Sequence, residues 1–358
     1  MSSRALALAA LLSGCVYPRY LAQAASGELQ LLASARPLDE VIRDPKTPLR
    51  TAMMLAEIPE IKQYGRSYGL RIRDNYTTYV DLGYKPAVWF VGAADPVAFK
   101  PRPWCFPIVG CFPGLGWFDE DDAVAFKLAE DAEGYDSVVR PAAAFSTGGH
   151  FRDPVTSSML GSGDDALPYL ANTILHESVH ATVLVPDEQF FNESFAVYIA
   201  DALTDHWIEL RFGPGSPEEL AWTLGQALGM PRVARQLSAY EQLAALYASN
   251  KPRAEKLAEK AKIIDELIVD LHLRGRRPNN ATLNEVRLYN GGSAPLLLAH
   301  RACGDLRSLL DAAKTLKRSD FAKPLQEDLT PIGKLLAARC HPKAASVHLY
   351  SSGKLDPG

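Results

Sequence analysis

The chain has 358 residues, of which 47% are hydrophobic, so it is long enough to bury the core of one or two globular domains. Its 38 basic and 42 acidic side chains leave a formal net charge of -4. This balance argues against the basic surface typical of nucleic-acid-binding proteins, and no nucleic-acid partner is expected.

The first 15 residues have the pattern of a bacterial lipoprotein signal peptide. Arg4 gives a small positive charge, residues 5–12 are apolar, and Leu12-Ser13-Gly14-Cys15 fits the lipobox. The apolar run is too short for a transmembrane helix, so we expect a lipid on Cys15 to be the membrane anchor. Val16 follows the cysteine, which favours the outer over the inner membrane, on the periplasmic side of the envelope. An ordinary signal peptide, or a buried apolar helix with a chance cysteine, is the alternative.

The segment after Cys15 is predicted to form one domain over residues 16–340, followed by a tail at 341–358. The fold class expected is α+β, mainly helical, with a helical and small-sheet part at 16–160 and a helical part at 161–340. In chain order the first predicted elements are a helical hairpin (17–69), two strands (76–80 and 87–91), a loop rich in Pro, Gly and Cys (100–116), a helix (119–133) and two strands (135–139 and 142–145).

Four cysteines remain after Cys15, and an even number in an oxidising compartment predicts two disulfides. Three pairings are available for Cys105, Cys111, Cys303 and Cys340. Proximity along the chain favours Cys105–Cys111 and Cys303–Cys340. A second metal site is the alternative, but no close His or Cys pair supports it.

A metal-binding motif stands in the predicted helix over 166–185. His176-Glu177-Ser178-Val179-His180 has the form HExxH. Residues i and i+4 share one face of a helix, so both histidines can present a ring nitrogen to one ion. Glu177 lies on the flank of that face, close enough to take a proton from an activated water. An amphipathic helix with two partly exposed histidines is the alternative that involves no metal.

A third ligand is expected at Glu193. Pro186 cannot continue the first helix, and a second helix is predicted to begin near Asn192, with Asn192 as its N-cap. Two antiparallel helices joined by a short loop would bring Glu193 back to His180. Two histidines and a glutamate suit one Zn²⁺ per chain and leave its fourth position for water. Asp201 or Asp205 could orient one of the histidines.

The rest of the chain is predicted to be helical, and its supporting residues are less specific. The expected helices cover 192–207, 218–228, 234–249, 253–273 and a stretch from 281. Tyr289 and His206 are candidate donors to the oxyanion that forms during acyl transfer. A carboxylate that binds a substrate's α-ammonium group could come from Asp153, Asp164, Asp165 or Glu188.

These segments resemble a known family over most of the chain. Residues 20–27, Trp104-Cys105-Phe106-Pro107, Asp153-Pro154 and HExxH resemble the bacterial predicted-aminopeptidase lipoproteins. Asn192-Glu193-Ser194-Phe195-Ala196 is similar to the third-ligand motif of gluzincin peptidases. The resemblance implies a zincin-like core with a small sheet beside the HExxH helix. It also implies a zinc-dependent peptidase, an aminopeptidase by family name, with peptides as substrates.

In that reading His176, His180 and Glu193 bind zinc and Glu177 is the catalytic base. Two alternatives stay open on the sequence alone. One is a non-catalytic zinc-binding envelope lipoprotein. The other is an amidase for cell-wall peptides.

Overall fold

The computed structural model describes residues 16–106, 110–142 and 152–340. The predicted signal peptide with Cys15 and the tail at 341–358 lie outside the described residues. The strand expected at 142–145 also falls outside them from residue 143 onwards.

The described part of the chain is mainly helical, with small sheets, as the predicted α+β class requires. Its α-helices are α1 (Val16–Ala33), α2 (Leu38–Arg43), α3 (Leu49–Ser67), α4 (Glu120–Ala132), α5 (Ala166–His180), α6 (Gln189–Phe212), α7 (Pro217–Ala248), α8 (Arg253–Asp270), α9 (Asn280–Asn290), α10 (Ser293–Cys303), α11 (Leu306–Ala313) and α12 (Thr330–Arg339). Short 3₁₀ turns occur at Ser157–Leu160 and Arg318–Asp320.

The strands are short and form three separate sheets. They are β1 (Arg36–Pro37), β2 (Thr78–Val80), β3 (Trp89–Ala94), β4 (Trp104–Phe106), β5 (Gly110–Phe112), β6 (Gly114–Trp117), β7 (Asp136–Pro141) and β8 (Val155–Thr156). In the first sheet β2 pairs with β1 antiparallel and with β8 parallel. In the second, β3 lies between β6 and β7, antiparallel to both. The third is the β4–β5 hairpin.

The expectation of a loop over 100–116 was wrong, because β4, β5 and the start of β6 lie in it. Cys105 is paired directly opposite Cys111 in the hairpin, and the two form a disulfide. Leu115 of β6 pairs with Val91 of β3, 24 positions earlier in the chain. Proline and glycine indicate a loop locally, whereas β4 and β5 become strands by pairing with each other and β6 by pairing with β3 from an earlier part of the chain.

The predicted break between helices at 229–233 was also wrong, because α7 runs through it without interruption. Pro231 lies inside this helix at an exposed position. A proline removes one helical hydrogen bond, but at an exposed position water can satisfy the freed carbonyl. The helix therefore continues through a residue that usually ends one.

The main core is built around α5 and α6, which carry the HExxH and Asn-Glu segments. Ile58 of α3, Leu170 and Ile174 of α5, and Phe195 and Ile199 of α6 are almost completely buried together. Each such side chain contributes roughly 1.5–3 kcal/mol of hydrophobic free energy. The positions of α5 and α6 are therefore set by the largest apolar cluster of the described chain.

Helix α9 connects this core to the β6-β3-β7 sheet. Asn279 caps it, since its Oδ1 accepts a hydrogen bond from Thr282 N at 3.1 Å, while its Nδ2 donates to Ser137 O of β7 at 2.8 Å. Asn280 Nδ2 donates to Asp95 O just after β3 at 2.8 Å. These contacts join the start of α9 to two strands, and α9 packs in turn on α6.

A second disulfide joins Cys303, at the end of α10, to Cys340, just after α12. Both cysteines lie in the main core beside α11. The two bonded pairs are those that proximity along the chain favours. In the described ranges the chain has no helix that combines the length and apolar character needed to cross a bilayer.

The two disulfides are expected to differ in their effect on stability. Cys303 and Cys340 are 37 positions apart, whereas Cys105 and Cys111 are 6 apart. In the chain-entropy model the longer loop stabilises by about 4 kcal/mol and the shorter one by about 2 kcal/mol. We predict that Cys303→Ala/Cys340→Ala lowers the free energy of unfolding, measured in urea, by more than Cys105→Ala/Cys111→Ala does. An equal or reversed order would contradict this.

Candidate metal centre

The two histidines of HExxH project from one side of α5. The opposite side is fixed by Ile174, Leu175 and Val179, which have no exposed surface. The imidazole rings of His176 and His180 are 4.7 Å apart and nearly perpendicular, and their Nε2 atoms are 3.1 Å apart. The spacing of four residues therefore brings both nitrogens to one point, as a helix predicts.

Asn192 fixes the loop between α5 and α6. Its Oδ1 accepts a hydrogen bond from Val185 N at 2.9 Å, and its Nδ2 donates to Val185 O at 2.8 Å. The predicted N-cap role of Asn192 was wrong, because α6 begins at Gln189 and Asn192 lies in its first turn. The side chain instead satisfies a buried backbone amide and carbonyl that lie outside a helix or a sheet.

The carboxylate of Glu193 completes a cluster of three donor atoms. Its Oε2 is 3.5 Å from His176 Nε2 and 3.5 Å from His180 Nε2. Bonds of 2.0–2.1 Å in a tetrahedral zinc site separate neighbouring ligand atoms by about 3.3 Å. The observed distances of 3.1, 3.5 and 3.5 Å match that edge length. These residues therefore fit a single tetrahedral ion, and they are the one such group in the described residues.

The two histidines hold the Glu193 carboxyl in its ionised form. Burial alone raises the pKa of the Glu193 carboxyl, but hydrogen bonds from His176 and His180 and their charges outweigh it and lower this pKa to about 2. Burial lowers the pKa of His180, but Glu193 raises it above its ordinary value. Glu193 is consequently ionised at neutral pH, which is the form that binds metal.

Glu177 and Tyr289 lie beside this cluster. The negative charge of Glu177 raises the pKa of both His180 and Tyr289. The three groups therefore lie near one another. The Tyr289 ring centre is 6.5 Å from that of His176. Burial, and then the negative charge of Glu193, raises the pKa of Tyr289. The phenol therefore keeps its proton at neutral pH and can donate it in a hydrogen bond.

The contact that holds Tyr289 in place comes from residues next to the site. Ser194 Oγ, adjacent to Glu193, donates a hydrogen bond to Leu288 O, adjacent to Tyr289, at 3.2 Å. A Cβ on Gly292 would lie 2.3 Å from the same Ser194 Oγ. Only a glycine allows the chain after α9 to pass this close to α6. Neither Ser194 nor Gly292 has a signal in the sequence that marks this role.

The structure does not bring His206 to the cluster. It lies 13 positions after Glu193 on α6, which is about 20 Å along a helix axis. Its Nδ1 is 2.9 Å from Tyr64 Oη and 2.8 Å from Tyr68 Oη. His206 thus belongs to the packing of α3 against α6.

Asp201 lies nearer to the cluster than Asp205 does. Asp201 Oδ1 accepts a hydrogen bond from Asn172 Nδ2 at 2.8 Å. The charge of His176 favours the ionised form of Asp201 and so opposes the effect of burial on its pKa. Burial raises the pKa of Asp201 to about 6. Asp205 instead accepts a hydrogen bond from Trp222 Nε1 at 2.6 Å.

The carboxylates considered for the α-ammonium group have other surroundings. Glu188 is fully buried and binds Gln326 N at 3.0 Å and Arg318 Nε at 3.3 Å. Asp153 is fully buried, and Asn75 Nδ2 donates to it at 3.3 Å. Asp165 is the residue before α5, three turns from His176. Asp164 precedes it at an exposed position.

A protein-family model matches residues 19–326 of the chain. The family is described as "Putative aminopeptidase". No curated protein and no solved structure matches the chain. The matched range contains all three donor atoms together with Glu177 and Tyr289.

We predict that Glu193→Gln removes the metal, because a neutral amide replaces the charged ligand. Loss of a residue that only supports a ligand weakens metal binding by about 10- to 100-fold, so loss of a ligand should exceed about 100-fold. Metal content after dialysis, measured by inductively coupled plasma mass spectrometry, checks this. Glu209→Gln, an exposed position on the same helix, is the matched control and should keep about one ion per chain. Equal metal in both variants would rule Glu193 out as a ligand.

Proposed function

Because the chain belongs to the putative aminopeptidase family, we propose that it is a zinc-dependent peptidase that hydrolyses peptide bonds. The observation that carries the proposal is the convergence of His176, His180 and Glu193 at distances of 3.1–3.5 Å, with a carboxylate one residue from the first histidine. A structural zinc site normally has four protein ligands and needs no general base. Three donors and a neighbouring Glu177 therefore favour catalysis.

Zinc held by these three residues supplies a Lewis acid that lowers the pKa of water and polarises a carbonyl oxygen. The protein's own part in the reaction is to move protons and to stabilise charge. Glu177 takes a proton from the attacking water as the new carbon–oxygen bond forms. It then delivers that proton to the nitrogen of the leaving amine as the carbon–nitrogen bond breaks.

Tyr289 is the oxyanion donor in this proposal, which is supported by a ring centre 6.5 Å from that of His176 and by a buried phenol that keeps its proton. Its hydroxyl donates a hydrogen bond to the carbonyl oxygen as that atom gains negative charge. The fixed contact between Ser194 and Leu288 holds α9 against α6, so the donor is in place before the reaction begins. Such preorganisation is what makes a hydrogen bond effective in catalysis.

We also propose the class of peptidase and the cellular location of the protein. Two histidines and a glutamate on neighbouring helices are the ligand arrangement of gluzincin peptidases, and the HExxH helix pair would be the centre of a zincin-like core. The lipobox at Cys15 supports a lipid anchor on the periplasmic side of the bacterial envelope. The substrates would then be peptides of that compartment.

We predict that Glu177→Gln lowers kcat on a mixed peptide library by about 10²- to 10⁴-fold, because the general base is lost. Metal content should stay at about one zinc per chain, since Glu177 is not a ligand. Both quantities are measured on the purified full-length protein, with Glu209→Gln as the control. Wild-type protein that binds zinc but cleaves neither library peptides nor cell-wall cross-link peptides would support the non-catalytic alternative instead.

We predict that Tyr289→Phe lowers kcat by about 10²- to 10³-fold, with a smaller change in KM, because its hydroxyl acts in the transition state. Tyr64→Phe is the matched control, since that tyrosine is hydrogen-bonded to the distant His206. It should keep wild-type kinetics. A Tyr289→Phe variant with unchanged kcat would exclude the hydroxyl from the reaction.

A further inference from the structure

Helix α1 starts directly after the residue proposed to carry the lipid anchor. Its first residue is Val16, next to Cys15. A lipid on Cys15 would therefore be joined to the folded helix without a linker, and the first turn of α1 would lie at the bilayer surface. The helix has 18 residues and is about 27 Å long. Its contacts with the rest of the domain decide which of its faces is left for the membrane.

The inner face of α1 is fixed to the domain. Gln23 Nε2 donates a hydrogen bond to Gly116 O of β6, and its Oε1 accepts one from Phe118 N, each at 3.1 Å. One turn on, a Cβ at Gly27 would lie 2.2 Å from the Phe118 ring, so the helix passes directly over this ring. Leu31, one turn further, is buried. These contacts at regular helical spacing fix the rotation of α1 about its own axis.

The outer face of α1 is apolar along the helix. Exposed residues recur at spacings of three and four positions, and they are Pro18, Leu21, Ala22, Ala25 and Leu29. The side chains of Leu21 and Leu29 are 50% and 67% exposed. A helix on the surface of a soluble domain usually has charged and polar residues on the face opposite its core contacts. An apolar outer face is instead typical of a helix that lies in a membrane interface.

The two charged residues of α1 do not interrupt this face. Arg19 forms an ion pair with Asp122 of α4. Glu28 has both carboxylate oxygens buried. The outer face therefore has no cation that would attract acidic lipids, and burial of apolar surface is the interaction that it offers.

We propose that the outer face of α1 lies on the phospholipid bilayer, as an interfacial helix that continues from the lipid on Cys15. The inference rests on the lipid anchor proposed above and adds an orientation to it. Because Gln23 and Gly27 fix the inner face of α1 to the domain, contact along the outer face holds the domain in one orientation on the membrane. A second copy of the chain is the other candidate to cover this face. The anchor favours the bilayer, since it already holds the first turn of α1 there.

The test uses the mature, lipidated protein in vesicles of phosphatidylethanolamine and phosphatidylglycerol. The photoreactive residue benzoylphenylalanine is introduced in place of either Leu29 or Leu224. Leu29 is 14 positions after Cys15, or about 21 Å along the helix, so the anchor alone does not bring it to the bilayer. After irradiation, mass spectrometry should find several-fold more phospholipid cross-linked at position 29 than at position 224. The yield should not depend on salt concentration, because the contact is apolar.

Leu224 is the matched control, since it is a leucine in the middle of a helix with 58% of its side chain exposed. Its helix, α7, packs on α5, α6, α8 and α9, whereas α1 packs on β6. Equal phospholipid yields at the two positions would overturn the proposed orientation. Cross-linking of position 29 to a second protein chain instead of to lipid would assign the face to self-association and would also overturn it.

A second variant tests the apolar contact itself. Leu29→Asp should lower phospholipid cross-linking from benzoylphenylalanine at position 21 several-fold, because a carboxylate on the outer face would have to leave water. Leu224→Asp should leave that yield unchanged. Both variants should keep the wild-type Tm in detergent, since both positions are exposed. An unchanged yield in Leu29→Asp would contradict the proposal.

Failure of the anchor has a different signature. The mass of the N-terminal peptide shows whether Cys15 carries acyl chains. A mature protein without them would overturn the anchor and this inference together. Acylated Cys15 without lipid cross-links at position 29 would overturn the inference alone.

Discussion

The whole candidate site depends on the alignment of α5 with α6. Two histidines four residues apart share one face of a helix, but the third donor must be brought back across the 181–188 loop to within 3.5 Å of both. The amide of Asn192 does this by bonding both backbone groups of Val185, a buried residue whose backbone cannot use water instead. Because Asn192 is adjacent to Glu193, the group that fixes the loop also fixes the ligand.

Helix α9 is the second element on which the chemistry depends, and the sheet positions it. Asn279 holds its first turn to β7, and Arg140 of β7 binds Glu285 in its middle. Ser194 then holds its last turn against α6. The sheet thus acts on the metal centre through α9, which presents Tyr289 on one turn and Glu285 on the turn before it.

The parts of the site that the sequence could predict are those set by local geometry. The spacing of His176 and His180 is a property of one helix, and a proline after it gives the turn that returns Glu193. The cysteines are joined as chain proximity favours, and Tyr289 was a candidate because a tyrosine can donate a hydrogen bond. His206 was an equal candidate on chemistry alone, and only its place on α6, about 20 Å beyond Glu193, separates the two.

What the sequence could not predict depends on contacts between distant segments. Arg140 and Glu285 are 145 positions apart, so nothing local in the sequence indicates that they form an ion pair. Strand β6, which begins within 100–116, needs β3 as a partner, and the continuity of α7 through Pro231 needs that residue to be exposed. The close passage of Gly292 over Ser194 is likewise visible only once α6 and α9 are packed together.

The central claim is that His176, His180 and Glu193 bind one zinc ion and leave a coordination position open. A crystal structure of the full-length protein, with anomalous diffraction data at the zinc absorption edge, tests it most directly. The account predicts a single anomalous peak about 2.0–2.2 Å from the three donor atoms, with no fourth protein ligand. A peak elsewhere, or a fourth protein side chain closing the site, would contradict it.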